Sequence, residues 1–214
     1  MTGQAMNRLP DKTVERLSLY RRLLERTLNG EESYLYSHQL GVLANSTAAQ
    51  VRRDLMLLGC TGSPIRGYSV TELIERIGAF LDAPQGQRIA LVGIGNLGRA
   101  ILAYFSQRRP NLSIVAAFDI DPQKVGRVIA GCRCYHLNEL AAVVEREGIH
   151  IGVITVPASQ AQQVADQLVA VGIRGLLNFA PVRVRVPDEV AVQDMDITTS
   201  LEKIAYITRQ RQTT

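Results

Sequence analysis

The apolar run Ile89-Ala90-Leu91-Val92 passes without a break into Gly93-Ile94-Gly95-Asn96-Leu97-Gly98 and then into a helix-forming stretch, Leu97–Gln107. No other feature of the chain narrows its fold as much. Glycines at this spacing are a weak signal alone, but between a strand and a helix they meet a mechanical need. Gly93 permits the tight turn, Gly95 lets backbone approach a pyrophosphate, and Gly98 lets the helix pack closely on the sheet. The helix N-terminus then offers free N–H groups and a partial positive charge to phosphates. Asp119, 21 residues past Gly98 at the end of the next strand, stands where an acid accepts hydrogen bonds from an adenosine ribose. No arginine or lysine follows until Lys124 to receive a 2′-phosphate, so the expected ligand is NAD(H) rather than NADP(H). The plainer alternative is a nucleotide-free turn with a solvated Asp119.

From this point strands and helices alternate. Strands are expected at Arg88–Val92, Ser113–Phe118, Arg133–His136, Ile149–Val156 and Arg174–Phe179, and helices at Leu97–Gln107, Leu137–Glu147 and Ser159–Val171. Short strands near Val182–Val186 and Val190–Gln193 precede a last helix, Thr199–Arg209. Apolar strands joined by helical crossovers imply a parallel sheet covered on both faces. Ligands of such sheets lie beyond the carboxyl ends of the strands. Thr155-Val156-Pro157 and Asn178-Phe179-Ala180-Pro181, which end two strands, are therefore expected to line the nicotinamide half.

The first 82 residues read differently, as almost entirely helical. Val14, Leu17, Tyr20, Leu23, Leu24 and Leu28 recur at three- and four-residue spacing, in a helix ended by Asn29-Gly30. Ser37 is expected to cap a short helix through Leu40 and Leu43, and Asn45-Ser46-Thr47 to break it and cap the next, Ala48–Leu58. After the turn Thr61-Gly62-Ser63-Pro64 come a β-like run, Ile65–Val70, and a helix over Glu72–Leu81 capped by Thr71. Asp82-Ala83-Pro84-Gln85-Gly86-Gln87 is a compact linker.

Two short helices with a tight break, a helix before them and a Gly-rich β turn after them suggest a winged helix-turn-helix. At 100° per residue, Ala48, Val51, Leu55 and Leu58 fall on one face of the second short helix, and Ala49 and Arg53 lie opposite. Gln50 and Arg52 flank them. Small Ala49 would let the helix sit deep in a major groove, with Arg52 and Arg53 reaching guanine edges or phosphates. Ser46, in the preceding turn, and the wing residues Arg66, Gly67 and Tyr68 complete the expected DNA contacts. Asp54 partly offsets the charge, and a solvated face with an Arg–Asp pair is the competing reading.

Composition excludes more than it identifies. With 46% hydrophobic and 21% charged residues the chain is globular in class, neither disordered nor a disulfide scaffold. Net charge is +4, split evenly either side of residue 80, so bulk charge marks neither part as a nucleic-acid domain. Residues 1–12 lack an apolar leader segment, and the uncharged stretch Ile151–Ala165 is too short and polar to span a bilayer. A soluble cytoplasmic protein is expected, with no membrane association. Cys60, Cys132 and Cys134 are expected to be reduced and structural, with a redox pair at the last two as the alternative. His38, His136 and His150 are nowhere near ligand spacing of one another, so no metal is expected.

Catalysis by hydride transfer needs a positioned acid/base and a substrate pocket. After the linker there is room for roughly one nucleotide domain and a tail, with no Tyr-x-x-x-Lys pair and no evident carboxylate beside His136 or His150. The expectation is a domain that binds a dinucleotide without consuming it. A small NAD-dependent oxidoreductase, whose helical N-terminus binds substrate or a partner, is the main alternative. A CoA-binding module is the third reading, because Gly-rich loops also cradle the phosphates of CoA.

Taken together, these stretches resemble the redox-sensing transcriptional repressor Rex family over almost the whole chain from Val14. The resemblance is carried by Ala49-Gln50-Val51-Arg52-Arg53-Asp54-Leu55, Leu91 to Ala100, Val115-Ala116-Ala117-Phe118-Asp119, Gly126-Arg127, Ile154 to Ala158 and Leu177 to Val182. It implies a winged helix-turn-helix at 1–82, a Rossmann doubly wound parallel sheet at 83–196 and a C-terminal helix, 197–214, exchanged in a homodimer. It further implies binding to an inverted-repeat operator in double-stranded DNA, with NADH and NAD+ as competing effectors. NADH would close the dimer and release the operator, without turnover.

By the same resemblance the nucleotide loop is Gly93 to Gly98, the ribose acid is Asp119, and Tyr104 stands near the nicotinamide. Asp196 pairs between domains with an arginine of the first helix, assigned to Arg22, with Arg21 one place away. Two departures stand out. The family wing reads Arg-Gly-Val-Gly-Tyr, whereas here it is Pro64-Ile65-Arg66-Gly67-Tyr68, and the family's Phe after the interdomain Asp is Ile197.

Overall fold

The structure, a computed structural model, describes residues 9–28, 33–106 and 111–212. The expected stop at Asn29-Gly30 and the helix end at Gln107 lie outside the described residues. The chain divides into two compact units, 1–84 and 85–214.

The first unit holds α1 (Asp11–Leu28), β1 (Tyr34–Leu35), α2 (Ser37–Leu43), α3 (Ala48–Leu57), β2 (Tyr68–Ser69) and α4 (Val70–Leu81). Leu17, Tyr20 and Leu24 form one stripe of α1 and are fully buried against Leu40, Val51, Leu55, Val70, Leu73 and Ile77. Val14 and Leu28, at the ends of the expected stripe, remain over a third exposed. The Thr47 side chain caps α3 by accepting the Gln50 N–H at 3.1 Å. Two other caps differ from expectation. Ser37 is the first residue of α2, whose cap is Tyr36, with the Tyr36 N–H donating to Gln39 Oε1 at 2.6 Å. Thr71 lies inside α4, capped instead by Ser69, because Ser69 is still extended while it pairs with Tyr34. That two-residue β1 is too short for periodicity to reveal. The β-like run shortens to β2 because Ser63 and Gly67 close a tight turn through paired backbone bonds of 2.7 and 2.8 Å.

The second unit is a seven-stranded sheet. Its strands are β3 (Gln87–Val92), β4 (Leu112–Asp119), β5 (Val128–Ile129), β6 (Cys132–His136), β7 (Ile151–Ile154), β8 (Gly175–Asn178) and β9 (Ala191–Asp194), in the order β5-β6-β4-β3-β7-β8-β9. Every pairing is parallel except β5 with β6. The helices are α5 (Asn96–Phe105), α6 (Leu140–Glu147, preceded by a 3-10 turn at Leu137–Glu139), α7 (Ala158–Ala170) and α8 (Ile197–Gln212). Core clusters fill both faces, one around Phe118, Val144 and Leu168, the other around Leu91, Leu102 and Cys134. The chain runs from β3 to β4 on one side and to β7 on the other, so the order reverses at β3 and opens a crevice at its carboxyl end.

Three expectations change here. The hairpin strand β5 was not foreseen; it turns through Ala130 and Gly131, both at positive φ. Residues 182–186 form an extended loop and not a strand, because the Gln162 side chain takes the hydrogen bonds a neighbouring strand would have made. Its Nε2 donates to the Arg185 carbonyl and its Oε1 accepts the Arg185 N–H, both at 2.8 Å. The strand expected at Ile149–Val156 keeps only Ile151–Ile154. Cys60, Cys132 and Cys134 are all buried and free. Burial pushes the thiols of Cys132 and Cys134 up to about 11, which keeps them protonated.

Candidate functional site

The glycines act as their spacing requires. Gly93 has φ +98°, and a side chain there would press to 2.8 Å against the Thr155 carbonyl. A side chain on Gly98 would strike the Gly93 carbonyl and come within 3.1 Å of Thr155 Oγ1. Gly95 has open space instead, and no side chain caps α5, so its first N–H groups are left for a ligand. Beside the loop lies a cleft of roughly 250 Å³. It is lined by Gly93, Ile94, Gly95 and Asp119, and by Thr155, Val156 and Pro157 across the switch point.

Asp119 does more than wait for a ribose. It is 9% exposed, and its Oδ2 accepts the Ile94 N–H at 2.7 Å and the Lys124 ammonium at 3.0 Å, while Oδ1 accepts the Asp121 N–H at 2.9 Å. Burial alone pushes this carboxyl up, but the Asp121 and Ile94 amides and the Lys124 charge outweigh it and hold it below its ordinary value. Lys124, five residues on in sequence, thus folds back onto the carboxylate that ends β4. There it meets two carboxylates, Asp119 at 3.0 Å and Asp121 at 3.5 Å, so the corner keeps a net negative charge that disfavours a further anionic group. Besides Val92 at the end of β3, the cleft is also lined by Ile120, Leu137, Gln160 and Val164, which the sequence alone does not single out. They come from three separate segments, and only the fold assembles them.

Replacing Asp119 by Ala should weaken NADH binding by about 2 kcal/mol, roughly thirtyfold, the scale of a charged hydrogen bond. Fluorescence titration of NADH reads it. DNA affinity without cofactor should not change, and a loss of both would mean that the loop had collapsed.

Other expected contacts are already engaged. Thr155 Oγ1 donates to the Gly93 carbonyl at 2.6 Å and so clamps the glycine loop. Asn178 is fully buried and does not line the cleft. Its Nδ2 donates to the Val182 carbonyl at 2.7 Å and to Asp194 Oδ1 at 2.8 Å, and its Oδ1 accepts the Ala180 N–H. Phe179 packs on the core. Neither is among the residues that line the cleft. Asn96 and Leu97 open α5, with Leu97 39% exposed and outside the cleft lining. Tyr104 sits near the far end of α5, half exposed and edge-on to Phe105, so within one chain it does not line the cleft.

In the first unit, α3 presents Ala49, Arg52 and Arg53 to solvent. Arg53 Nη2 donates to Gln50 Oε1 at 3.0 Å, and Arg52 Nη1 to Ser37 Oγ at 3.1 Å. Asp54 does not offset them. It is 1% exposed and accepts from Arg16 Nε at 2.6 Å, Arg16 Nη2 at 2.7 Å, the Tyr20 hydroxyl at 3.0 Å and Gln50 Nε2 at 2.9 Å. Its place on the wheel, beside Leu58 at the rim of the apolar face, was the available signal. At the wing, Arg66 is exposed over the Tyr34 ring, but Gly67 is buried and Tyr68 half-buried against the core. Gly67 has φ +77°, and an added side chain would strike the Leu35 carbonyl, so the turn itself requires glycine here. Ser46 is partly buried in the turn before α3, its N–H bonded to the Gly41 carbonyl at 2.8 Å.

Of the two residues expected to pair between domains, Asp196 caps α8, accepting the Thr199 N–H at 3.0 Å and the Thr199 hydroxyl at 2.6 Å. Arg22 is exposed on α1, whereas its neighbour Arg21 is buried and held by both oxygens of Asp82 at 2.7–2.8 Å.

Comparison with known proteins follows this division. Residues 8–55 match a family model described as a putative DNA-binding protein N-terminus, and residues 85–182 match one described as a CoA binding domain. A redox-sensing transcriptional repressor Rex from Syntrophobacter fumaroxidans is 41% identical over 200 residues, covering 93% of this chain and 95% of that protein. Among solved structures, the Rex-family repressor RSP in complex with β-NAD+ and operator DNA superposes with a TM-score of 0.87 at 30% identity. It covers 96% of this chain and 95% of its own. RSP in complex with β-NADH gives 0.84 at 29% identity, with 95% and 96% covered.

Proposed function

The chain belongs to the Rex family of redox-sensing transcriptional repressors, and from that premise we propose how its two units perform the task. It is a DNA-binding transcriptional repressor that senses NADH and NAD+, a regulator and not an enzyme. The observation that carries this reading is the pairing, in one chain, of an outward Arg52/Arg53 helix with a glycine-loop cleft whose ionisable lining residues, Asp119 and Lys124, are bonded to each other. Among the described residues of the cleft, the charged groups fix the adenosine end and move no proton.

Residues 1–82 are the DNA-binding domain, 83–196 the NAD(H)-binding domain and 197–214 the dimerisation helix. Support for the last comes from α8 itself: Ile197, Leu201 and Ile204 lie along one side of it and are 59–65% exposed in a single chain. A second copy covering that stripe makes the homodimer that an inverted-repeat operator requires. It would also supply Tyr104 to a neighbouring cleft. Arg22 and Asp196 couple the domains, the exposed Arg22 being the arginine still free to move, since Arg21 is committed to Asp82. NADH closes the dimer and frees the operator, in the cytoplasm where both are found.

The test is a genomic-fragment pull-down at one salt concentration, with NAD+ in one tube and NADH in the other. Fixed salt removes the main confounder of DNA affinity. Discrete promoter fragments retained with NAD+ and lost with NADH are expected. Retention in neither tube would favour the oxidoreductase reading, and equal retention a dinucleotide site without output. The match to a CoA-binding model makes CoA the control ligand. It should fail to displace NADH, because the Asp119–Asp121 corner repels a further phosphate on the ribose.

A further inference from the structure

The wing turn carries an apolar side chain that nothing in the first unit covers. Ile65 is 82% exposed, at the tip of the turn that Ser63 and Gly67 close. The tip is held from several sides. Ser63 Oγ accepts the N–H groups of Ile65 and Arg66 at 3.2 and 3.3 Å, and the Tyr36 hydroxyl donates to the Ile65 carbonyl. Pro64 fixes the backbone angle on the approach. A β-branched side chain on a fixed turn has few rotamers to lose when it is buried.

The same contacts place this tip beside the reading helix. Tyr36 holds Ile65, the next residue Ser37 accepts from Arg52 of α3, and His38 stacks on Tyr36 at 5.6 Å. Arg66 is drawn off over the Tyr34 ring at 5.9 Å, which leaves Ile65 foremost. The surroundings are cationic, with Arg52, Arg53 and Arg66 exposed and Asp54 buried. That charge fits a phosphate backbone better than a protein surface.

We propose that Ile65 is an apolar wedge for the minor groove next to the major groove read by Arg52 and Arg53. The proposal rests on the DNA-binding reading above. Apolar wedges of this kind part a base step or lie along an A·T floor, where no guanine amino group stands in the way. Arg66, held on Tyr34, then sits at the groove's edge against phosphate.

The test uses duplexes selected from a random pool by the full chain with NAD+. They are resynthesised with 2,6-diaminopurine for adenine, one position at a time in the flanks. This base adds an amino group to the minor groove and leaves the major-groove edge intact. Ile65→Ala should lower affinity about tenfold, the size of one good base-edge contact. Its salt dependence should match the wild type, since an alkyl group releases no counterions. Diaminopurine at the wedge position should cost the wild type a similar factor and the Ile65→Ala variant almost nothing.

Equal binding by variant and wild type, or losses that simply add, would overturn the proposal while DNA binding stood. So would a change in self-association on Ile65→Ala without a change in DNA affinity. A pool that yields no duplex would sink the DNA-binding reading, and this proposal with it.

Discussion

Saturating NADH should carry the operator-bound population from about 99:1 to about 1:99, which requires NADH to favour the non-binding state by about 5.5 kcal/mol. A ligand shifts an equilibrium only by its differential affinity, so the same factor must appear in reverse. Saturating operator should weaken NADH binding about 10⁴-fold, while NAD+ affinity should change far less. NADH titrations with and without operator, at one salt concentration, read this directly. If NADH affinity ignores the operator, the two units do not communicate and the chain is a DNA-binding protein with a silent cofactor site.

The second large effect lies under α3. Asp54→Ala should destabilise the first unit by about 3 kcal/mol, because it strips a buried ion pair of one partner. Arg16 keeps 27% of its side chain in water and recovers some hydration, but the buried Tyr20 hydroxyl loses the acceptor at 3.0 Å. For a unit of this size that corresponds to a fall of roughly 10 °C or more in its thermal midpoint. A fall under about 2 °C would mean that the network contributes little. Operator affinity should drop as well, since α1 no longer fixes α3.

The same carboxyl sets an acid limit. Burial pushes Asp54 up, yet the hydrogen bonds of Arg16, Gln50 and Tyr20 outweigh it and leave it below its ordinary value of 3.8. Its stabilising contribution is therefore complete above that value and is lost as pH falls through the lower folded one.

What could be read in advance was local. Gly93, Gly95 and Gly98 act within six residues of one another, and Thr47 caps α3 three residues away, so short-range rules place them. Lys124 is the instructive failure. Counted along the chain it stood too far from Asp119 to matter, yet a turn through Asp121 returns it to 3.0 Å. Asn178 looked like a ligand contact because it ends a strand, but Asp194, 16 residues on, claims it. Gln162 replaces a strand 23 residues away, and Asp54 finds Arg16 across 38. Contacts of that reach depend on the assembled fold, and residue patterns do not encode them individually.

The fixed corner at Asp119 has a consequence for what such a regulator can measure. Adenosine is common to NADH and NAD+, and on the proposed placement the carboxylate that would meet it, Asp119, is already locked to the Ile94 amide and Lys124. Affinity gained there is equal for both forms and discriminates between neither. It does raise occupancy, and when the cleft is almost never empty, the total amount of dinucleotide drops out of the binding equation. What remains is the quotient of the two concentrations, weighted by whatever the nicotinamide end contributes. A rigid adenosine corner thus turns a meter of quantity into a meter of proportion.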